Sequence, residues 1–122
     1  MIGYATLGSN NLETAKTFYD AVLAPLGGHR AFDMDRMQGY AAAGGGAMLA
    51  ICRPYDEQPA TPGNGHMVAL SAPSRAVVDQ VYQAALAGGG ISEGAPGVRT
   101  GTFYGAYFRD LDGNKLCIFN MG

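Results

Sequence analysis

The chain has 122 residues, enough for one domain with a core of its own and no need of disulfide or metal staples. Hydrophobic residues make up 48% and charged residues 15%, which excludes a disordered chain. Formal net charge is −2, and the eight Lys and Arg are scattered from Lys16 to Lys115 without a basic stripe, so nucleic acid is not an expected partner.

"IGYATLG" at residues 2–8 alternates loosely and contains Tyr4 and Thr6, which reads as a strand. "NNLETAKTFYDAVLAPLGG" follows, where Asn10 with Glu13 has the form of a capping box. Leu12, Ala15, Phe18, Tyr19, Val22, Leu23 and Leu26 recur at helical spacing, and Pro25 with Gly27 and Gly28 ends the helix. Three further strands fit around His29–Asp33, Met37–Ala43 and Ala47–Arg53. The stretch "PYDEQPATPGNG" carries three prolines, Pro54, Pro59 and Pro62, and reads as a stiff, non-helical linker. "GHMVALSA" is then a strand, and Ser74 caps a helix bearing Val77, Val78, Val81, Tyr82 and Ala85 that stops at "AGGG". Strands are expected around Ser92, at Phe103–Arg109 and at Lys115–Asn120.

The second half repeats the first. Tyr4 falls 62 residues before His66, Phe18-Tyr19 fall 63 before Val81-Tyr82, and Leu49-Ala50-Ile51 fall 67 before Leu116-Cys117-Ile118. A near-constant offset over three elements predicts two βαβββ modules, about 1–54 and 65–122, joined by a linker at about 55–64, in a single domain spanning 1–122.

No apolar run approaches the roughly 20 residues that cross a bilayer, so no membrane partner is expected. "MIGYATLGSNN" lacks the charged and apolar regions of a signal peptide, and Cys52 and Cys117 are too few for a disulfide framework. A reduced, cytoplasmic setting fits.

Four stretches, "LETAKTFYDAVLAPLG", "GHMVALSAPSRAVVDQVYQAALAGGG", "GAPGVR" and "YGAYFRDLDGNKLCIF", resemble the vicinal oxygen chelate superfamily of glyoxalase I, bleomycin resistance proteins and extradiol dioxygenases. Their order covers nearly the whole chain. The resemblance implies an α+β fold in which two tandem βαβββ modules form a half-open mixed β-barrel with the helices outside. It also implies a homodimer and, in metal-dependent members, four ligand positions on the first and last strands of each module. Carried over, these are Tyr4, Ala50, His66 and Cys117. Ala50 has no donor, Tyr4 must ionise to serve, and Cys117 stands where the family often has Glu; a family-type metal site and a cofactor are therefore not expected.

His66 is either an acid–base group or anchor in the cavity, projecting there with Val68 and Leu70, or a residue satisfied by backbone. Cys117 shares a strand face with Lys115 and Phe119. It is a nucleophile only if His66 holds its proton, and free cysteine is more commonly a small buried hydrophobe. Tyr107 is expected on the cavity side with Phe103, and Tyr104 behind it. Arg99 is the best anion-binding candidate, while "DLDG" lacks the ligand series of a calcium loop and reads as a hairpin turn.

The expected function is binding of a small, planar or oxygenated organic ligand in the barrel cavity by Tyr4, Met48, His66, Arg99, Tyr107, Cys117 and Phe119, without a complete metal site. The alternative is a lyase, isomerase or dioxygenase of the glyoxalase type, working through an unconventional site at His66 and Cys117.

Overall fold

The computed structural model describes residues 1–122. Module one runs β1 (Tyr4–Gly8), α1 (Leu12–Leu23), a 3-10 turn (Ala24–Leu26), β2 (His29–Met34), β3 (Met37–Ala41) and β4 (Met48–Cys52). Module two runs β5 (Val68–Ser71), α2 (Arg75–Ala87), β6 (Ile91–Thr100), β7 (Phe103–Arg109) and β8 (Lys115–Met121). Each module forms its own sheet, in the orders β1-β4-β3-β2 and β5-β8-β7-β6, with the first and last strands parallel and the remaining pairs antiparallel. This is the α+β pair of modules that the repeat predicts. The two sheets do not close into a barrel, and β1 and β5 are both edge strands.

The helices form where local signals place them, with one difference at the start. Asn11, rather than Asn10, caps α1 by accepting from the Thr14 amide at 3.2 Å. Asn10 instead exchanges two hydrogen bonds with the backbone of Ala60, at 2.7 and 3.1 Å, and so ties the linker to module one. Gly27 adopts a φ of 71° after the 3-10 turn, the left-handed stop that glycine makes without strain. Ser74 caps α2 as expected, accepting from the Val77 amide at 3.2 Å.

The apolar stripes of α1 and α2 meet each other and the backs of both sheets. Phe18, Tyr19 and Val22 from α1 and Val78, Val81 and Tyr82 from α2 join Tyr40, Leu49, Ile51, Phe108, Leu116 and Ile118 in one core of 18 buried residues. Each fully buried large apolar side chain contributes about 1.5–3 kcal/mol. Because the core is common to both modules, neither buries its helix alone.

The turn between β7 and β8 locks the modules together. Gly113 takes a φ of 85° there, whereas Asn114 keeps an ordinary backbone and contributes through its side chain. Asp110, buried, accepts from the Asp112 and Asn114 amides, from Asn114 Nδ2 and from the Tyr19 hydroxyl on α1, the last at 2.6 Å. Asn114 Nδ2 also donates to the Gly8 carbonyl, and the Asn10 amide donates to Asp112. The segment that reads as a simple hairpin is therefore also a clasp across the domain.

Candidate functional site

Strand pairing decides which side chains share the sheet faces turned away from the core. On module two, Tyr107 pairs with Cys117 and Cys117 with Ala69, while Gly105 pairs with Phe119 and Phe119 with Ser71. Lys115 lies one row before and Met121 with Phe103 one row after. The opposite face carries Ala106, Phe108, Leu116 and Ile118 into the core. Cys117 thus shares its face with Lys115 and Phe119. Tyr107 and Phe103 are on that face too, and Tyr104 is behind it, where its hydroxyl donates to Asp79 at 2.7 Å and Arg75 lies over its ring.

Tyr107 is the centre of this face. The Arg99 guanidinium lies 5.4 Å from its ring centroid and Lys115 Nζ lies 5.6 Å from it, inside the range of cation–π attraction. Arg99, though exposed, folds across the strand toward Tyr107, where β6 is irregular and rich in glycine. A Cβ at Gly94 would come within 3.0 Å of its guanidinium, and one at Gly97 within 3.1 Å. Arg99 Nη2 donates to the Ala95 carbonyl at 2.6 Å, which folds the side chain back over the strand. One row along, Phe103 and Phe119 stack with centroids 5.1 Å apart and rings 9° from parallel. The Phe103 ring occupies the space over Gly105, where a Cβ would come within 2.7 Å of it.

Cys117 sits under this layer, buried, with 1% of its surface exposed. Burial pushes its thiol pKa up, and the neighbouring Tyr107 side chain with the charges of Arg99 and Lys115 only partly offsets this. A thiol held in its protonated form is a poor nucleophile.

On module one the same face carries Tyr4 beside Met48, Thr6 beside Ala50, and Gly8 beside Cys52, continued by Gly39 and Met37 on β3. Phe32 on β2 lies over Gly39 where a side chain would otherwise stand. Tyr4 and Met48 are therefore together, but in a different sheet from Tyr107, Cys117 and Phe119.

The structure revises the relation between the modules at one point. Ala5 pairs with Leu49 and Val68 with Leu116, so Ala5 corresponds to Val68 and Tyr4 to Met67. His66 corresponds to Gly3, one residue earlier, and a one-residue step in a strand exchanges faces. Val68 and Leu70 accordingly pack against the core rather than into a cavity. His66 precedes β5 and is exposed, its ring lying against Gly63. It lines a small cleft of about 340 Å³ between the edge strands with Thr6, Leu7, Met67, Asn114 and Lys115. Cys117 does not line that cleft, and its polar neighbour is Tyr107 rather than His66.

A larger cleft of about 590 Å³ lies beside the linker, lined among others by Asp35, Arg36, Arg53, Tyr55 and Glu57. Its two arginines are engaged: Arg53 donates to the Asp35 carbonyl and lies 3.9 Å from its carboxylate, while Arg36 donates to the Arg53 carbonyl and stacks on Tyr55. This arrangement closes the linker onto the β2–β3 turn. No group of three or more His, Cys, Asp or Glu side chains comes together in a way that could hold a metal ion. The residues at the family's ligand positions do not fit such an ion, since Ala50 carries no donor and the module-two equivalent of Tyr4 is a thioether. His29, at the start of β2, is exposed and bonds only its neighbour's carbonyl, at Gly27.

Lys115, like Phe103, is a site residue that the sequence left out of the ligand-binding set. Its signal was strand parity, since it stands two residues from Cys117 on the same face.

Residues 1–118 match the model of the Glyoxalase/Bleomycin resistance protein/Dioxygenase superfamily. A glyoxalase/bleomycin resistance protein from Albidiferax ferrireducens T118 is 36% identical, covers 100% of this chain and 99% of its own, and superposes with a TM-score of 0.92. A hypothetical protein from S. aureus is 25% identical with a TM-score of 0.77, covering 98% of this chain and 92% of its own. Lactoylglutathione lyase from Agrobacterium tumefaciens, at 19% identity and a TM-score of 0.72, covers 98% of this chain and 92% of its own and shares the fold. No curated protein matches the sequence. With the family match spanning almost every residue and two paired βαβββ modules in the fold, the chain belongs to the glyoxalase/bleomycin resistance protein/dioxygenase superfamily.

Proposed function

We propose that the protein binds a small planar organic ligand on the outward face of module two and works without a divalent metal. The observation that carries this reading is the layer built on Tyr107, flanked by Arg99 and Lys115 and continued by the Phe103–Phe119 stack. Flat aromatic surface beside fixed polar groups is what holds a planar, oxygenated molecule in a defined orientation. Phe119, Tyr107, Arg99 and Cys117 act together, Cys117 as a small floor residue. Tyr4 and Met48 extend the surface on module one, and His66 borders it at the edge cleft. Metal independence is supported by the donor set at the family positions. Binding without turnover is supported by the separation of His66 from a protonated, buried Cys117.

Isothermal titration against a panel of aromatic metabolites and antibiotics tests the reading. Binding that weakens at least tenfold in Tyr107→Ala supports it, and no heat with any member of the panel rejects it. Metal analysis of freshly purified protein tests the second half, where stoichiometric metal lost on Cys117→Ala would overturn it.

We also propose that two chains pair as a homodimer in a reducing cytoplasm. Tyr4, Met34, Met67 and Met121 remain exposed on the outward faces, and β1 and β5 keep free edges. Both cysteines are free thiols, and no helix is long and apolar enough to cross a membrane. Light scattering should report twice the 12.7 kDa chain mass, and a monomer at micromolar concentration would reject the pairing.

A further inference from the structure

Four ion pairs join Lys16 to Glu13, Arg30 to Asp20, Arg53 to Asp35 and Arg109 to Glu93. Arg99 and Lys115 are in none of them, yet both lie over the ring of Tyr107. Two cations brought to one ring repel each other, and the molecule supplies neither with a carboxylate. The third cation of this end of the sheet, Arg109, is occupied by Glu93 at 3.2 Å and by the Gly113 carbonyl at 3.0 Å. The chain as a whole is acidic, so an unneutralised pair of positive charges on one face is a local arrangement and not a reflection of composition.

The arrangement is also held in place. The glycines at 94 and 97 make room for the Arg99 side chain, and the Ala95 carbonyl fixes its guanidinium. Lys115 stands on β8 opposite Arg109, and Phe119 stands four residues further along the same strand, about 13 Å away at strand rise. The face thus has a cationic end at Arg99 and Lys115, small residues at Ala69 and Cys117 between, and a stacked aromatic end at Phe103 and Phe119.

We propose that this polarity selects planar aromatic acids: the ligand's carboxylate, or an equivalent small oxyanion, sits between Arg99 and Lys115, and its ring lies toward Phe103 and Phe119. Arg99 and Lys115 are the specificity-determining residues, through charge and, for Arg99, through a planar fork that matches a carboxylate. The inference rests on the ligand-binding reading above and adds the class of ligand.

The test uses a matched pair of probes, 2-naphthoate and 2-naphthamide, which share ring and size and differ in charge. Titration of the wild-type protein at low salt should show the acid binding at least tenfold more tightly. The preference should shrink several-fold as salt is raised, as screening of a charge contact requires. Arg99→Gln and Lys115→Gln should each lower the preference, the double variant should abolish it, and Arg99→Lys should retain part of it. Circular dichroism of each variant establishes that it is folded, and binding of 2-naphthamide by the double variant shows that the aromatic end is intact. Equal binding of acid and amide by the wild type, or a preference that survives in the double variant, would overturn the assignment of ligand class while leaving the binding reading standing. Absence of binding by either probe at millimolar concentration would overturn the ligand class, and absence of heat across the whole panel as well would reject the binding reading with it.

Discussion

Replacing Tyr19 with Phe removes one hydroxyl from the seam between the modules and changes nothing else in shape. That hydroxyl donates to Asp110 Oδ2 at 2.6 Å, in a place where Asp110 is 4% exposed and Tyr19 fully buried. Three donors to Asp110 survive the substitution, namely the Asp112 and Asn114 amides and Asn114 Nδ2, so the carboxylate is not orphaned. The loss is that of one hydrogen bond to a charged group, about 1.5–3 kcal/mol. For a domain of this size each kcal/mol shifts Tm by roughly 3–6 °C. The expected fall for Tyr19→Phe is then roughly 5–18 °C. Urea denaturation followed by circular dichroism should show a lower midpoint with an unchanged slope. A double-mutant cycle with Asp110→Asn identifies the partner, because most of the loss should disappear in that background. A change below about 0.5 kcal/mol, the size of an ordinary surface substitution, would refute the claim that this bond joins the modules. So would an equal loss in both backgrounds.

Three further outcomes follow from residues already described. Cys117, buried and with its pKa raised by burial, should resist a disulfide exchange reagent in the native protein and react promptly after denaturation; stoichiometric labelling of the native thiol at pH 8 would contradict this. Tyr19 is raised well above its ordinary value, first by burial and then by the charge of Asp110. A raised folded-state pKa gives stability that is complete below the unfolded value and is lost as pH climbs toward the folded one. Midpoints should therefore hold to about pH 9 and fall above about pH 10, the ordinary value for Tyr, by about 1.4 kcal/mol per pH unit. A flat urea midpoint from pH 9 to 11 would contradict this. Gly90→Ala places a Cβ 2.8 Å from both the Ala85 and the Arg109 carbonyl oxygens, so it should unfold well below wild type, whereas Gly3→Ala meets nothing within 4 Å and should be close to neutral. Thermal scans of the pair check the contrast.

The fold was legible because each element carries its own period. The stripe from Leu12 to Leu23 and the alternation of Leu116 and Ile118 against Cys117 and Phe119 need no distant partner to be recognised. The candidate site was legible in part for the same reason, since strand parity places Phe103, Tyr107, Cys117 and Phe119 on one face. Two things depended on partners far along the chain. The equivalence of Tyr4 and His66 rested on a near-constant offset between the halves that is blind to a one-residue step, and only pairing with β4 and β8 shows that Met67 is the counterpart. The position of the modules relative to each other comes from contacts such as Tyr19 with Asp110 and Asn10 with Asp112, each joining residues far apart in sequence. The fold of Arg99 over the Tyr107 ring likewise depends on glycines at 94 and 97 whose effect is felt only once β6 has met β7.

The methionines add a consequence for how such a protein changes over time. Met34 pairs with Met37, Met48 with Tyr4, Met121 with Phe103, and Met67 precedes β5 on the same side, while the 18-residue core contains no methionine at all. The interior is built from branched, aromatic and alanine side chains that hold one shape, and the flexible thioethers are kept on the outward faces. Substitutions that reshape this surface leave the interior packing alone. A lineage carrying this arrangement can alter its outward side chains with little effect on whether the chain folds.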